Sequence, residues 1–245
     1  VGPDSLNEAE AVTTGEEADL YVAPNWIRNS VAVNVPPDSY KVAIVIDDLG
    51  EYPALTQEVI DLPAPVTLAF LPYPPGVREM AETARQAGHE IMVHMPMEAT
   101  RAELDTGSYV LRSDMEPEEF SATLIENLKA IDGYVGINNH MGSGLTQDRT
   151  AMNSVMTKLA EQGLLFLDSR TIHTSVAGEV ARSFNIPTIE RDVFIDHDIT
   201  PEAIQAALDR IQRIATEHGS AVAIGHPKRE TLEALKAWIP TLNEK

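Results

Sequence analysis

Residues 41–50 read K-V-A-I-V-I-D-D-L-G, an apolar run that stops on two adjacent carboxylates, Asp47 and Asp48. A parallel strand covered on both faces is almost continuously apolar, so the first charges after such a run stand at its C-terminal mouth, where α/β folds gather their chemistry. Two further apolar runs end on histidine: E-I-M-V-H on His94 and A-V-A-I-G-H on His226. Residues 133–144, G-Y-V-G-I-N-N-H-M-G-S-G, bring His140 to a similar place after a short apolar stretch. The candidate site is therefore assembled from segments far apart in the chain.

Outward from the first strand the pattern is regular. Strand-like runs at 41–46, 66–71, 90–93, 135–137, 164–167, 188–189, 193–195 and 221–224 alternate with helical periodicity at 53–62, 77–87, 117–131, 150–162, 176–184, 201–218 and 231–238. Strand alternating with helix at these lengths predicts right-handed crossovers and a mainly parallel sheet. We expect an α/β fold, a distorted (β/α) barrel of about seven strands, with an open doubly wound sheet as the other architecture. M-G-S-G at 141–144 has neither the G-x-G-x-x-G spacing nor the P-loop lysine that a nucleotide-binding sheet would carry.

At 245 residues the chain suits one barrel domain, 39–245, preceded by an acidic N-terminal arm, 1–38, rich in Glu, Ala, Asp, Thr and Pro. The arm reads as flexible or as a solvated helix, and we expect a longer precursor from which a signal or anchor has been removed, placing the protein in the periplasm or another extracytoplasmic compartment. A formal net charge of −20, with 38 acidic against 18 basic residues, excludes nucleic acid as a natural partner, because phosphate backbones are bound through lysine and arginine. The absence of cysteine leaves histidine and carboxylate as the metal ligands available. No stretch reaches the length needed to span a bilayer. Oligomeric state is not legible.

Asp47 and Asp48 would point to opposite faces if the strand persisted, one of them being presented by the following turn. One carboxylate then binds a cation while the other acts as general base, or D-D-L-G is a polar turn whose aspartate caps the next helix. His94 with His140 and an aspartate matches the three-ligand count of a catalytic zinc site, and Glu98 follows four residues after His94. Asn138 and Asn139 are either site-lining amides or part of a turn before Gly142. His226 is either a general acid or the unremarked first residue of a helix. Asp168, Ser169, Arg170, Arg191, Asp192 and Asp196 are candidates to orient the base, contact substrate or simply meet solvent.

These residues resemble the motifs of the divergent polysaccharide deacetylase family, a remote branch of the carbohydrate esterases that carry the NodB homology domain (carbohydrate esterase family 4-like), over about residues 41–240. V-I-D-D-L-G resembles the first motif, which implies catalytic base for Asp47 and metal ligand for Asp48. G-H-E-I-M-V-H resembles the strand of the second motif and carries His94 over as a ligand. A-I-G-H-P followed by T-L-E-A-L resembles the last motif, which implies general acid for His226. The usual H-x-x-x-H has Glu98 in its second place, an arginine-proline motif is replaced by N-N-H-M-G, and the aspartate-tryptophan motif is absent. We therefore expect His140 to supply the second nitrogen ligand, Glu98 to act as its supporting partner or an alternative ligand, and Asn139, Asp168, Arg170 and Asp196 to support the site or the substrate. The resemblance implies a divalent cation, usually zinc, and a polysaccharide or peptidoglycan-like substrate from which an N-acyl group is removed. The alternative is an envelope protein that retains the deacetylase-like metal site but binds glycan or protein without catalysis.

Overall fold

The structure, a computed structural model, describes residues 22–244. A short helix α1 (Asn25–Arg28) precedes β1 (Lys41–Leu49), α2 (Pro53–Ile60), β2 (Thr67–Phe70), α3 (Val77–Gln86), β3 (Glu90–Met97), α4 (Pro117–Leu128) and β4 (Gly136–Met141). There follow α5 (Arg149–Gln162), β5 (Leu165–Asp168), α6 (Ala177–Ser183), β6 (Thr188–Glu190), β7 (Val193–Phe194), α7 (Pro201–His218), β8 (Ser220–Gly225) and α8 (Arg229–Trp238). Helix boundaries follow local chemistry. The Asp148 carboxylate accepts hydrogen bonds from the first free N–H groups of α5, and α7 opens on the Thr200 side chain with Pro201 in its first turn.

All strand pairs are parallel and form one eight-stranded sheet in the order β6-β5-β4-β3-β2-β1-β8-β7. The two edge strands, β6 and β7, are joined only by Arg191 and Asp192. Two residues span less than about 11 Å even when extended, so the sheet must curl until its edges almost meet. Arg191 N–H bonds the Asp168 carbonyl beside β5, and Asp192 N–H bonds the Val222 carbonyl of β8. One short segment thus leaves one edge of the sheet and joins the other. The result is the distorted barrel expected, with eight strands rather than about seven, because the run from Thr188 to Phe194 is broken into two at this crossing.

Period-two alternation divides the sheet's side chains. Ile44, Ile46, Leu68, Phe70, Ile91, Val93, Met95, Ile137 and Phe166 face the helices in the main core. Val45, Ala69, Met92, Leu165, Leu167 and Ile224 form a smaller apolar layer on the inner face, and Trp26 packs against it. Trp26 N–H also bonds the Gly163 carbonyl, and the Asn25 and Asn29 side chains bond the carbonyls of Gln162 and Tyr134. Of the 38 residues read as an arm, 1–21 lie outside the described residues, whereas 25–29 are tied to the N-terminal end of the barrel.

Candidate active site

The register of β1 shifts between Ile46, opposite Leu68, and Leu49, opposite Phe70, so three steps on β1 match two on β2. This is a β-bulge, and Asp48 occupies it with φ of 59°. Aspartate tolerates the left-handed region better than most side chains. The strand's alternation does not persist through Asp47 and Asp48: the bulge presents the second carboxylate, and both approach the same histidine. Asp47 Oδ2 lies 3.6 Å and Asp48 Oδ1 3.1 Å from His94 Nε2.

His94 does not end its strand as the sequence implied. β3 continues to Met97, through Pro96, whose carbonyl accepts from Leu111 N–H while Glu98 N–H donates to the Leu111 carbonyl. The register sets His94 opposite Asn138 and Pro96 opposite His140. Residues two apart on a strand share a face, which puts His94, Asn138 and His140 together. Asp48 Oδ1, His94 Nε2 and His140 Nδ1 form a triangle with sides of 3.1, 2.9 and 3.2 Å.

These three residues form a group able to hold a metal ion. Despite its near neighbours, Asp48 Oδ1 is buried and accepts no hydrogen bond of good geometry. A buried, unpartnered carboxylate oxygen facing two ring nitrogens is the donor set of a cation site. In a tetrahedral zinc site with ligands at about 2.0–2.1 Å, neighbouring ligand atoms are about 3.3 Å apart. The triangle is a few tenths of an ångström tighter, so a slight opening accommodates the ion. One carboxylate and two imidazoles supply three protein ligands and leave a fourth position for water or substrate.

Electrostatics separate the two aspartates. Burial pushes the Asp47 carboxyl up, against the opposing influence of His94, His226 and the Asn138 amide. Burial also acts to raise Asp48, but contacts with His140 and His94 outweigh it and hold that carboxyl well below the usual range. Burial would lower His94, yet the Asp47 charge and the Asp48 contact push it up to about 9. An ionised ligand beside a carboxyl of raised proton affinity is the division a metal-assisted acid–base site needs.

His226, just beyond β8, has Nε2 3.9 Å from Asp48 Oδ2. Its Nδ1 lies 2.8 Å from Asp196 Oδ1, and its backbone N–H donates to Asp196 Oδ2 at 2.7 Å. The Thr231 hydroxyl donates to the same Oδ2. Asp196 is 1% exposed and held below the ordinary carboxylate range: burial opposes this, but the His226 contacts prevail. Burial acts to lower His226, and the Asp196 hydrogen bond and charge raise it. The Phe194 ring stacks on the imidazole, and the Arg191 guanidinium lies 3.6 Å from the centroid of the Phe194 ring.

The remaining sequence candidates have different places. One Glu98 oxygen accepts from the Ser113 N–H and hydroxyl, anchoring the 98–113 loop, and Glu98 is not in the metal-holding group. Asn139, neighbour to Asn138 but turned the other way, bonds Met141 O and Ser169 N–H. Asp168 accepts from Arg170 N–H and the Ser175 hydroxyl, and Arg170 pairs with Glu190. These three fasten the loops behind the site. Asn138 instead bonds both Asp47 and His94. Two-residue alternation back from His140 could have chosen it over Asn139. Thr231 and Phe194 gave no sequence signal. A separate cavity of about 660 Å³, bordered by Asn25, Arg28, Arg78, Lys129 and Tyr134, lies at the opposite, N-terminal end of the strands.

Residues 44–245 match the family model described as divergent polysaccharide deacetylase. The chain belongs to this family. The uncharacterized protein YibQ of Escherichia coli K12 is 35% identical over 212 residues, covering 86% of this chain and 66% of the relative. An uncharacterized protein of Haemophilus influenzae is 34% identical over 83% of this chain and 72% of its own length. The chain thus spans about two thirds of the relatives it matches. Among solved structures, the uncharacterized protein ATU2773 of Agrobacterium tumefaciens superposes with a TM-score of 0.87 at 26% identity, covering 90% of each chain. The catalytic domain of a peptidoglycan N-acetylglucosamine deacetylase from Eubacterium rectale shares the fold, with a TM-score of 0.51 at 14% identity and coverage of 89% of this chain and 90% of that one. The eight-stranded parallel sheet thus has the fold shared with the polysaccharide deacetylases, as the sequence motifs implied. Among the described residues, no helix is long and apolar enough to cross a membrane.

Proposed function

We propose that the protein is a zinc-dependent hydrolase that removes an N-acetyl or related acyl group from an envelope polysaccharide. The observation that carries this reading is the convergence of Asp48 Oδ1, His94 Nε2 and His140 Nδ1 within 3.2 Å of one another, with Asp47 and His226 close to the same atoms. Asp48, His94 and His140 would hold the ion, whose chemistry when bound is Lewis-acid polarisation of the acyl carbonyl and activation of water.

The chain's own groups supply the proton traffic. Asp47, buried against His94 and Asn138, takes a proton from the attacking water as its oxygen bonds the acyl carbon. His226 gives its Nε2 proton to the departing nitrogen as the C–N bond breaks, leaving a carboxylic acid and a free amine. Asp196 holds Nδ1, so Nε2 is the nitrogen open to the site. Membership of the family and the shared fold support a carbohydrate substrate.

The test is acetate release, with matching appearance of free amines, from peptidoglycan fragments and N-acetylated chitooligosaccharides in the presence of zinc. Asp47→Asn should lower turnover about 10²- to 10⁴-fold while zinc still binds. A zinc-loaded protein that binds these glycans without releasing acetate would instead be a non-catalytic glycan receptor.

A further inference from the structure

Asn138 is fully buried on β4 and makes hydrogen bonds to two groups of the site at once. Its amide Nδ2 lies 2.8 Å from Asp47 Oδ1 and 3.3 Å from the Ser169 hydroxyl, and its Oδ1 lies 2.9 Å from His94 Nδ1. An ionised carboxylate only accepts, so the NH₂ must face Asp47; the flipped amide would set two acceptor oxygens together. The carbonyl then faces His94 and can only accept, so the imidazole proton belongs on Nδ1. When a cation takes the place of the second ring proton, the Nε2 lone pair is the one directed toward it, beside Asp48 Oδ1, at 3.1 Å, and His140 Nδ1, at 3.2 Å.

We propose that Asn138 is a positioning residue: locked by Asp47 and Ser169, its carbonyl fixes the tautomer and ring orientation of His94 so that Nε2 is presented to the cation. This rests on the reading of Asp48, His94 and His140 as the metal-holding group. Partners that orient a ligating histidine through its second nitrogen contribute about 10- to 100-fold in metal affinity. Asn139, one residue on, bonds Met141 and Ser169 rather than His94 and serves as the internal control.

The experiment measures zinc affinity by competition against a chromophoric chelator, with ¹⁵N NMR of the imidazoles. Zinc-loaded wild-type protein should show His94 protonated on Nδ1 and not on Nε2. Asn138→Ala should raise the zinc dissociation constant about 10- to 100-fold. Asn139→Ala removes the neighbouring buried amide, which has no hydrogen bond to His94, and should stay within a few-fold of wild type, because the effect runs through the acceptor on His94 rather than through packing of β4. Wild-type zinc affinity in a folded Asn138→Ala protein, equal losses in the Asn138→Ala and Asn139→Ala variants, or His94 protonated on Nε2 in the zinc-loaded protein would each overturn the proposal. If Asn138→Ala does not fold, the NMR signature of the zinc-loaded wild-type protein decides. Failure of wild-type protein to take up zinc would overturn this proposal and the metal-site reading together, whereas uptake without acetate release would overturn only the proposed activity.

Discussion

Asp48 Oδ1 and His94 Nε2 lie 3.1 Å apart although their strands, β1 and β3, are separated by β2. Two features close that distance. The bulge at Asp48 brings both carboxylates toward His94, and on the inner face of the intervening strand the small side chain of Ala69 stands near the bulge. A candidate cation site spanning the width of β2 thus depends on a one-residue bulge.

Loss of any member of the triangle should abolish stoichiometric zinc uptake, measured by elemental analysis after gel filtration. Asp48→Asn is the informative variant, because asparagine also tolerates the left-handed backbone that alanine would strain by about 1 kcal/mol. It removes the charge and leaves the bulge intact. Full zinc content in Asp48→Asn, His94→Ala and His140→Ala would remove the proposed ligand set.

The His226–Asp196 pair predicts a shift in the pH profile. The general acid must be protonated, so turnover falls as pH rises through the His226 pKa. Burial depresses that pKa and Asp196 raises it above the ordinary histidine value. Asp196→Asn removes the charge, so the alkaline limb of the kcat profile should move to lower pH, with a fall of roughly 10-fold or more in kcat at neutrality. Thr231→Val, which removes one of the donors to Asp196, should leave the Asp196 charge in place and move the limb little. An unchanged alkaline limb in Asp196→Asn would show that His226 is not the titrating acid.

Glu98→Gln separates the two readings of that residue. Its carboxylate anchors Ser113 at the far end of the 98–113 loop, where Leu111 continues the sheet beside Met97. Zinc stoichiometry should therefore be unchanged. The loop loses a charge-assisted contact, so limited proteolysis should cut within 98–113 faster than in wild type. A parallel loss of zinc would return Glu98 to the ligand set.

Asp47, Asp48, His94, His140 and His226 were legible as candidates because each is among the first polar groups after an apolar run, although the strands of the first four continue one to three residues beyond them. What misled was local geometry. Period-two reasoning separated Asp47 from Asp48, since a bulge leaves no mark in the sequence until the partner strand is known. Pro96 made residues 90–93 look like the whole of β3, yet its carbonyl and the Glu98 amide still bond Leu111. Asn139, Asp168 and Arg170 looked like site residues because they sit at strand ends, but their side chains turn to the loops. Asn138 and Asn139 differ by one position on a strand, and only the face decides which enters the site.

Gly136 opens β4, the strand that carries Asn138 and His140, and a Cβ there would stand 2.2 Å from the Leu165 carbonyl oxygen of β5. The obstacle is backbone, so relief requires moving one strand against the other rather than rotating a side chain. Gly136→Ala should cost about 3 kcal/mol, read as a lower urea midpoint at unchanged slope. Because Asn138 pairs with Leu167 in the same ladder, displacement of β4 also carries Asn138 and His140 away from Asp47, Asp48 and His94. Zinc affinity should therefore fall even under conditions where the variant is fully folded. Equal stability and equal zinc affinity in Gly136→Ala would mean that β4 and β5 are not packed at the contact distance that sets the register of the site.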